Sequence, residues 1–392
     1  MITSIRLFSQ LTRPAVLLLL ALFAAIGAAG SGAASNIVTL AEIYFIVATF
    51  LVFSVAANDL ADVAVDRVNL PGDRRRPLVT ATARQADMVL LLIGCAIACL
   101  GVAAAVNLAV LITASCGLLI SAAYSLPPSR LAARGAVGSM VLPACYVATP
   151  FLVGCYAGRP ALRPGDLLLL AGLYTGFIGR ILLKDFRDVR DDALFGKRTF
   201  LVRHGRRATC RPSAVLWTIG TVLLIRTGRL EYASAASYAV LAVAVVVLVI
   251  MLARDGGPRR DEIIIATVAI LGRGLLLTVL AYHQLATAGW AWPASTAMML
   301  ALVALTTGQA WSMYRHGPPG TAAGPADVTA RRYRPECRQP GGTAGGITVV
   351  MCYCRGPTGS PVPARPRAGP TVYRCPATGE TYTKTDGLLA LD

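Results

Sequence analysis

Two acidic runs stand out in a chain that has few acids, with 20 Asp and Glu among 392 residues against 37 Lys and Arg. The first run, NDLADVAVDRVNLPGDRRRPL, places Asn58, Asp62 and Asp66 at i, i+4 and i+8, with Asp59 beside Asn58. Steps of four residues share one helical face. The second run, KDFRDVRDDALFGKRTF, sets Asp185, Asp188 and Asp192 at the same three-then-four spacing as Asp59, Asp62 and Asp66. Either run alone is explained by a solvated, screened loop after a helix. Two runs of equal spacing, each closing an apolar stretch and each followed by basic residues, point to a divalent cation that joins carboxylates to substrate phosphate oxygens. Hard carboxylate and amide oxygens suit Mg²⁺, and no His/Cys cluster accompanies them to favour zinc. The expected metal ligands are Asn58, Asp59, Asp62, Asp66, Asp185, Asp188 and Asp192. Arg67, Arg74, Arg75 and Arg76 follow the first run; Lys184, Arg187, Arg190, Lys197 and Arg198 surround the second. Such cations can screen an anionic leaving group as well as anchor loops at a membrane surface.

The elements that must hold these residues are apolar. With 55% hydrophobic and 15% charged residues and a mean hydropathy of +0.61, the chain does not read as a soluble globular protein. Runs 15–34, 40–57, 88–106, 108–124, 137–157 and 167–183 each approach the length of a membrane-crossing helix, and 214–230, 238–253, 263–283 and 294–313 add four more. The expectation is an all-α polytopic transmembrane bundle of nine or ten spans, since helices satisfy their own backbone groups in lipid. The first run has the basic flank and small-residue end of a secretory signal, but its length and the spans that follow favour retention.

The net charge of +17 is a topology signal, not a nucleic-acid footprint, because the basic residues fall in short loops between apolar runs. With the N terminus inside, the inward segments hold 21 Lys and Arg and the outward loops four. That asymmetry puts the N terminus and both acidic runs on the cytoplasmic side. The ten Cys are too dilute for a disulfide scaffold. Residues 1–315 read as one membrane-embedded body, and 316–392 as a Pro/Gly/Arg-rich flexible cytoplasmic tail. Cys337, Cys352, Cys354 and Cys375 in that tail are better read as incidental thiols than as a zinc knuckle.

N-D-x-x-D-x-x-x-D at 58–66, the R-V-N-x-P-x-D-R-x-x-P-L that follows, YSLPP at 124–128, and K-D-x-x-D-x-x-x-D with GKRT at 184–199 together give the chain its resemblance to the UbiA superfamily of intramembrane prenyltransferases. The resemblance covers about residues 6–285 and implies a helical bundle around a cavity open to lipid, with Mg²⁺ and an isoprenoid diphosphate held by both motifs. Family roles transfer to Asn58, Asp62, Asp66, Asp188 and Asp192, with Asp59 and Asp185 as close acidic companions. Asp191 stands where the family commonly has Gly, and the stretch 294–313 exceeds the family's usual nine spans.

The implied chemistry is transfer of a prenyl group to an aromatic acceptor, as in quinone or prenylated-aromatic biosynthesis. Asp62, Asp66, Asp188 and Asp192 are the expected catalytic set. Asn58, Arg67, Tyr124, Lys184, Lys197 and Arg198 are the expected substrate contacts, and membrane lipid is the surrounding partner. Arg180 and Arg273 lie within apolar spans and call for an internal partner or substrate contact. His283 reads as structural. Cyclisation of an isoprenoid diphosphate, or transfer to a lipid or sugar acceptor, would use the same metal cradle, and a transporter is the rival from another class.

Overall fold

The computed structural model describes residues 7–8, 10–69, 76–194, 199–227, 232–254, 257–287 and 292–317, together with short strand segments between 354 and 391. It divides into two units, 1–318 and 319–392. Among the described residues of the first unit ten long helices follow in order. They are α1 (Pro14–Ser31), α2 (Ile37–Asn69), α3 (Gln85–Val106), α4 (Leu108–Ser125), α5 (Ala136–Gly158), α6 (Pro164–Leu194), α7 (Phe200–Thr227), α8 (Tyr232–Leu252), α9 (Pro258–Thr287) and α10 (Trp292–His316). Among the described residues nine helices, α1 to α9, are long and apolar enough to cross a membrane. The body is therefore the all-α polytopic bundle that the apolar runs lead one to expect. Helix α10 is long enough to span, but Thr306, Thr307 and Gln309 dilute its apolar character. It packs on α8 and α9.

Two buried clusters form the interior. One joins α2, α3 and α4 with parts of α1 and α5; the other joins α6 to α10 with the remaining faces of α1 and α5. Helices α1 and α5 thus form the seam between the halves. They approach so closely that a Cβ on Gly27 would run into the carbonyl of Phe151, and one on Gly154 into the backbone of Ala24 and Ala28. Glycine at the crossing lets the two backbones pack directly, the arrangement favoured where lipid offers no hydrophobic drive for helix association. Ser31 adds a hydrogen bond of 3.0 Å from Oγ to the Gly154 carbonyl.

Helix α5 is not regular. Pro143 stands inside it, residues Ala144–Ala148 form a π-helical turn, and Pro150 follows. Proline supplies no N–H and crowds the carbonyl four residues earlier, so two prolines seven residues apart disrupt the ordinary ladder. The wider turn absorbs them, and the Thr149 hydroxyl donates to the Ala144 carbonyl at 2.9 Å. Helix α7 contains a second break. Gly205 adopts φ 78°, ψ 176°, a conformation open to glycine, and turns the chain so that Arg206 pairs with Asp261 at the start of α9 and donates to the Leu252 carbonyl at 2.7 Å.

In the second unit the described residues form two antiparallel sheets. One pairs β1 (Cys354–Arg355) with β2 (Pro361–Val362). The other has the order β3 (Arg365–Pro366), β4 (Val372–Arg374), β5 (Thr381–Thr385), β6 (Leu388–Leu391).

Candidate active site

Helix α2 continues past the apolar run as far as Asn69, so the first acidic run is helical and Asp59, Asp62 and Asp66 do lie on one face. Three arginines from three other segments meet that face. Arg13, at the entry to α1, lies 3.0 Å from Asp59 through Nη2 to Oδ1. Arg76, in the connection between α2 and α3, pairs with Asp59 and reaches Oδ2 of Asp66 at 3.0 Å. Arg130, after α4, donates from Nη2 to Oδ1 of Asp62 at 2.7 Å. These pairs gather the start of α1, the end of α2 and the end of α4 at one end of the bundle.

The carboxylates are unequally covered. Asp59 is 2% exposed, Asp66 is nearly as buried, and Asp62 is partly open. Oδ2 of Asp59 and Oδ2 of Asp66 are both buried without a hydrogen-bond partner among the described residues; the contact from Arg76 to Asp66 is an ion pair without hydrogen-bond geometry. Burial pushes the Asp66 carboxyl up to about 6, with Asp59 and Asp62 adding to the rise and Arg76 opposing it. Among the described residues no three His, Cys, Asp or Glu side chains converge into a set that could hold a metal ion. What the first motif offers is two buried, unsatisfied hard oxygens and a third carboxylate facing outward, donors of the type that suits Mg²⁺ once further ligands are supplied.

The second motif lies on the last turns of α6, whose helix runs to Leu194. The side chains of Asp185, Asp188 and Asp192, like that of Arg67, fall outside the described residues, as do Lys197 and Arg198 altogether. Of the remaining expected contacts, Lys184 is exposed near the end of α6, Asn58 is partly buried on α2, and Tyr124 is partly buried in the last turn of α4. The side chain of His283 is likewise outside the described residues. Arg180 lies over the Phe177 ring, 5.7 Å from its centroid, which gives this intramembrane charge an internal neighbour.

Two residues join the site without having been singled out by spacing. Tyr146, on the π turn of α5, packs against both buried clusters, and its electrostatic neighbours are Arg13, Lys184 and Tyr124. It therefore lies within electrostatic range of Arg13 at the acidic face of α2 and of Lys184 on α6. A π turn is a recurrent feature of functional sites, and the signal for it in the sequence is the pair Pro143 and Pro150 inside one apolar run. The other is Ser121, one turn before Tyr124, 1% exposed and with a hydroxyl that has no hydrogen-bond partner among the described residues. The arginines Arg13 and Arg130 carry no sequence signal beyond loop charge, and only the fold turns them toward the acids.

A model of the UbiA prenyltransferase family matches residues 15–265. Among curated proteins, the chain is 32% identical over 161 residues to digeranylgeranylglyceryl phosphate synthase of Methanopyrus kandleri, covering 41% of this chain and 56% of that protein. It is 31% identical over 182 residues to the bacteriochlorophyll synthase 34 kDa chain of Chloroflexus aurantiacus, covering 45% and 55%. The chain thus spans about half the length of the curated relatives it matches. Among solved structures, a UbiA homologue from Archaeoglobus fulgidus bound to GPP and Mg²⁺ superposes with a TM-score of 0.54 at 18% identity, over 71% of this chain and 99% of that one. A digeranylgeranylglyceryl phosphate synthase structure gives a TM-score of 0.58 at 17% identity, over 71% and 98%. At these identities the superpositions establish a shared fold.

Proposed function

Because the chain belongs to the UbiA prenyltransferase family, we propose that it is an integral membrane enzyme that transfers a prenyl group from an isoprenoid diphosphate, with Mg²⁺, to an aromatic acceptor. The observation that carries the reading is the acidic face of α2, where two buried carboxylate oxygens lack partners and three arginines converge from separate segments. A homologous fold bound to GPP and Mg²⁺ supports the donor and the ion. On this reading Asn58, Asp59, Asp62, Asp66, Asp185, Asp188 and Asp192 would hold the ion, near the cytoplasmic surface.

When bound, Mg²⁺ would supply charge stabilisation to the diphosphate leaving group; the allylic C–O bond breaks and its electron pair leaves with the phosphate oxygen. The chain's own groups do the rest. Arg13, Arg76 and Arg130 exchange carboxylate for phosphate oxygens and steady the departing anion, with Arg67, Lys184, Lys197 and Arg198 as further donors. The ring faces of Tyr124 and Tyr146 border the electron-poor carbon. Apolar walls keep water from it until the acceptor carbon forms the new bond and gives up its proton.

A second reading, transfer to a lipid oxygen, is favoured by the similarity to a synthase whose named product is a glyceryl phosphate lipid. One experiment separates the two. Purified full-length protein in nanodiscs is incubated with Mg²⁺, allylic diphosphates of several lengths, aromatic acceptors and glycerol phosphate lipids, and the products are identified by mass. Prenylated aromatics support the proposal, prenylated lipid replaces the acceptor, and cyclised donor points to the cyclase alternative. Failure to consume any allylic diphosphate by folded, Mg²⁺-replete protein would overturn the enzyme reading. Uptake into sealed vesicles without turnover would instead point to transport.

A further inference from the structure

The second acidic motif closes α6 with a stretch that gives a helix little to bury. Of the residues from Lys184 to Leu194, four are Asp and three are Lys or Arg, so acids at i and i+4 repel while little apolar surface ties the segment down. Phe186, between Asp185 and Asp188, is the exception. It is buried and belongs to the core cluster that joins α6 to α10. By helical register positions 185, 188 and 192 share a face that adjoins the one bearing Phe186. Whatever holds the Phe186 ring therefore fixes the rotation of the segment that carries the motif.

The ring rests on one guanidinium. Arg206 lies over the face of Phe186, with Cζ 5.1 Å from the ring centroid. That guanidinium is itself tied to two further helices. Nη1 donates to Oδ1 of Asp261 at 2.9 Å while Nη2 pairs with Oδ2, the forked geometry that fixes the plane of an arginine. Nη1 also donates to the carbonyl of Leu252, the last residue of α8, at 2.7 Å. Both partners suit helix ends, because a C-terminal carbonyl of α8 has no intrahelical donor and Asp261 stands in the first turn of α9. Arg206 reaches all three because Gly205 interrupts α7 with φ 78°. The ion pair alone would join α7, α8 and α9. The stacking on Phe186 extends the tie to the helix end that carries the second motif.

We propose that Arg206 is a positioning residue for the second acidic motif, holding the end of α6 through Phe186 in the register that a divalent cation and a diphosphate require. The proposal rests on the donor reading above, in which Asp185, Asp188 and Asp192 take part in holding the ion, and adds to it the residue that orders their helix beforehand. A site whose ligands are ordered before the ion arrives binds it more tightly than one that the ion must order. Lysine at 206 would keep the charge, but a point charge on a flexible stem fixes no plane for the ring.

The test uses full-length protein in nanodiscs and two measurements. Amide hydrogen exchange, read by mass on metal-free protein, follows residues 184–194 and, for comparison, 58–66. Binding of a non-hydrolysable geranyl diphosphate analogue gives the Mg²⁺ concentration needed for half-saturation. Arg206→Gln and Phe186→Leu should each speed exchange across 184–194 and raise the Mg²⁺ requirement by about threefold or more, the scale of one lost cation–π contact, with exchange at 58–66 within about twofold of wild type. Saturating Mg²⁺ should bring analogue binding back to within about twofold of wild type, because an ion that binds only the ordered form restores it by mass action. Arg206→Lys should fall between, and covers the case in which Arg206→Gln leaves Asp261 unpaired and does not fold. Gly274→Ala, whose Cβ would press on Thr306 of α10, should lower the thermal midpoint and leave both measurements unchanged. An unmoved Mg²⁺ requirement in Arg206→Gln and Phe186→Leu, with wild type binding normally, overturns the proposal and leaves a clamp that only stabilises the fold. So does a raised requirement without faster exchange at 184–194, or an equal shift in Gly274→Ala. Absence of analogue binding by wild type at every Mg²⁺ concentration would overturn the donor reading itself, and the positioning role with it.

Discussion

Asp62 is the least buried of the three carboxylates on α2 and is held by a single arginine, Arg130, whereas Asp59 and Asp66 share Arg76 inside the bundle. Removing the outward carboxylate should therefore spare the fold and cost chemistry. Asp62→Ala is expected to lower turnover by about a hundredfold or more, the scale of several kcal/mol of charge stabilisation, with an unchanged helical spectrum and unfolding midpoint. Unaltered turnover would remove Asp62 from the site. Asp66 predicts an effect of opposite kind. Its carboxyl is pushed up to about 6 in the fold, against about 3.9 for an unfolded chain. The native state thus holds that proton more tightly, and the associated stability is fully present below about pH 4 and lost as pH rises through about 6. In metal-free detergent the unfolding midpoint should fall from pH 5 to pH 7 more steeply in wild type than in Asp66→Asn; parallel curves would refute this. At this scale the sequence is legible where types and spacing repeat. The acids announce themselves by a shared periodicity, but Arg13 and Arg130 look like any loop arginine until three segments are folded together.

Helices in this protein are shaped as much by what they lack as by what they carry. The crossing of α1 and α5 depends on Gly27 and Gly154, each facing backbone across the contact. Gly154→Ala should force the pair apart and destabilise the body by about 1–3 kcal/mol, the usual cost of overpacking. Gly94→Ala, with open space beside it, should be neutral or slightly stabilising through better helix propensity. A thermal shift assay in one detergent compares them, and equal midpoints would mean that the crossing tolerates separation. Element boundaries followed hydropathy well for α3 and α4. They did not for α2, α6 and α7, whose polar ends continue as helix beyond the apolar run. Hydropathy measures what lipid must cover, while the helix is ended by caps and neighbours. The π turn in α5 was hidden for a related reason: its prolines were read only as part of an apolar stretch, yet they set the local geometry that seats Tyr146.

The whole chain divides near residue 318, close to the change in composition that marks the end of the apolar region. Family similarity stops earlier, at residue 265, within α9. Every described residue of the candidate site lies before that point. A variant ending at residue 318 is accordingly expected to bind allylic diphosphate analogues within about twofold of the full chain; a larger loss, on the scale of tenfold per 1.4 kcal/mol, would give the tail a part in donor binding. The membrane architecture was legible because twenty apolar residues at a time permit few alternatives.

The three arginines on the face of α2 carry a thermodynamic consequence. A cation that takes up Oδ2 of Asp66 competes with Arg76 for it, and the guanidinium it frees stands beside the place where the diphosphate arrives. An anion that captures Arg76 equally unmasks the carboxylates. Each ligand therefore prepares the site for the other, and linkage requires the effect to be reciprocal. Titrations by calorimetry should find Mg²⁺ tightening the binding of a diphosphate analogue by the same factor as the analogue tightens Mg²⁺. In Arg76→Ala that common factor should shrink toward one, and a factor left intact would mean that the two ligands meet only through each other.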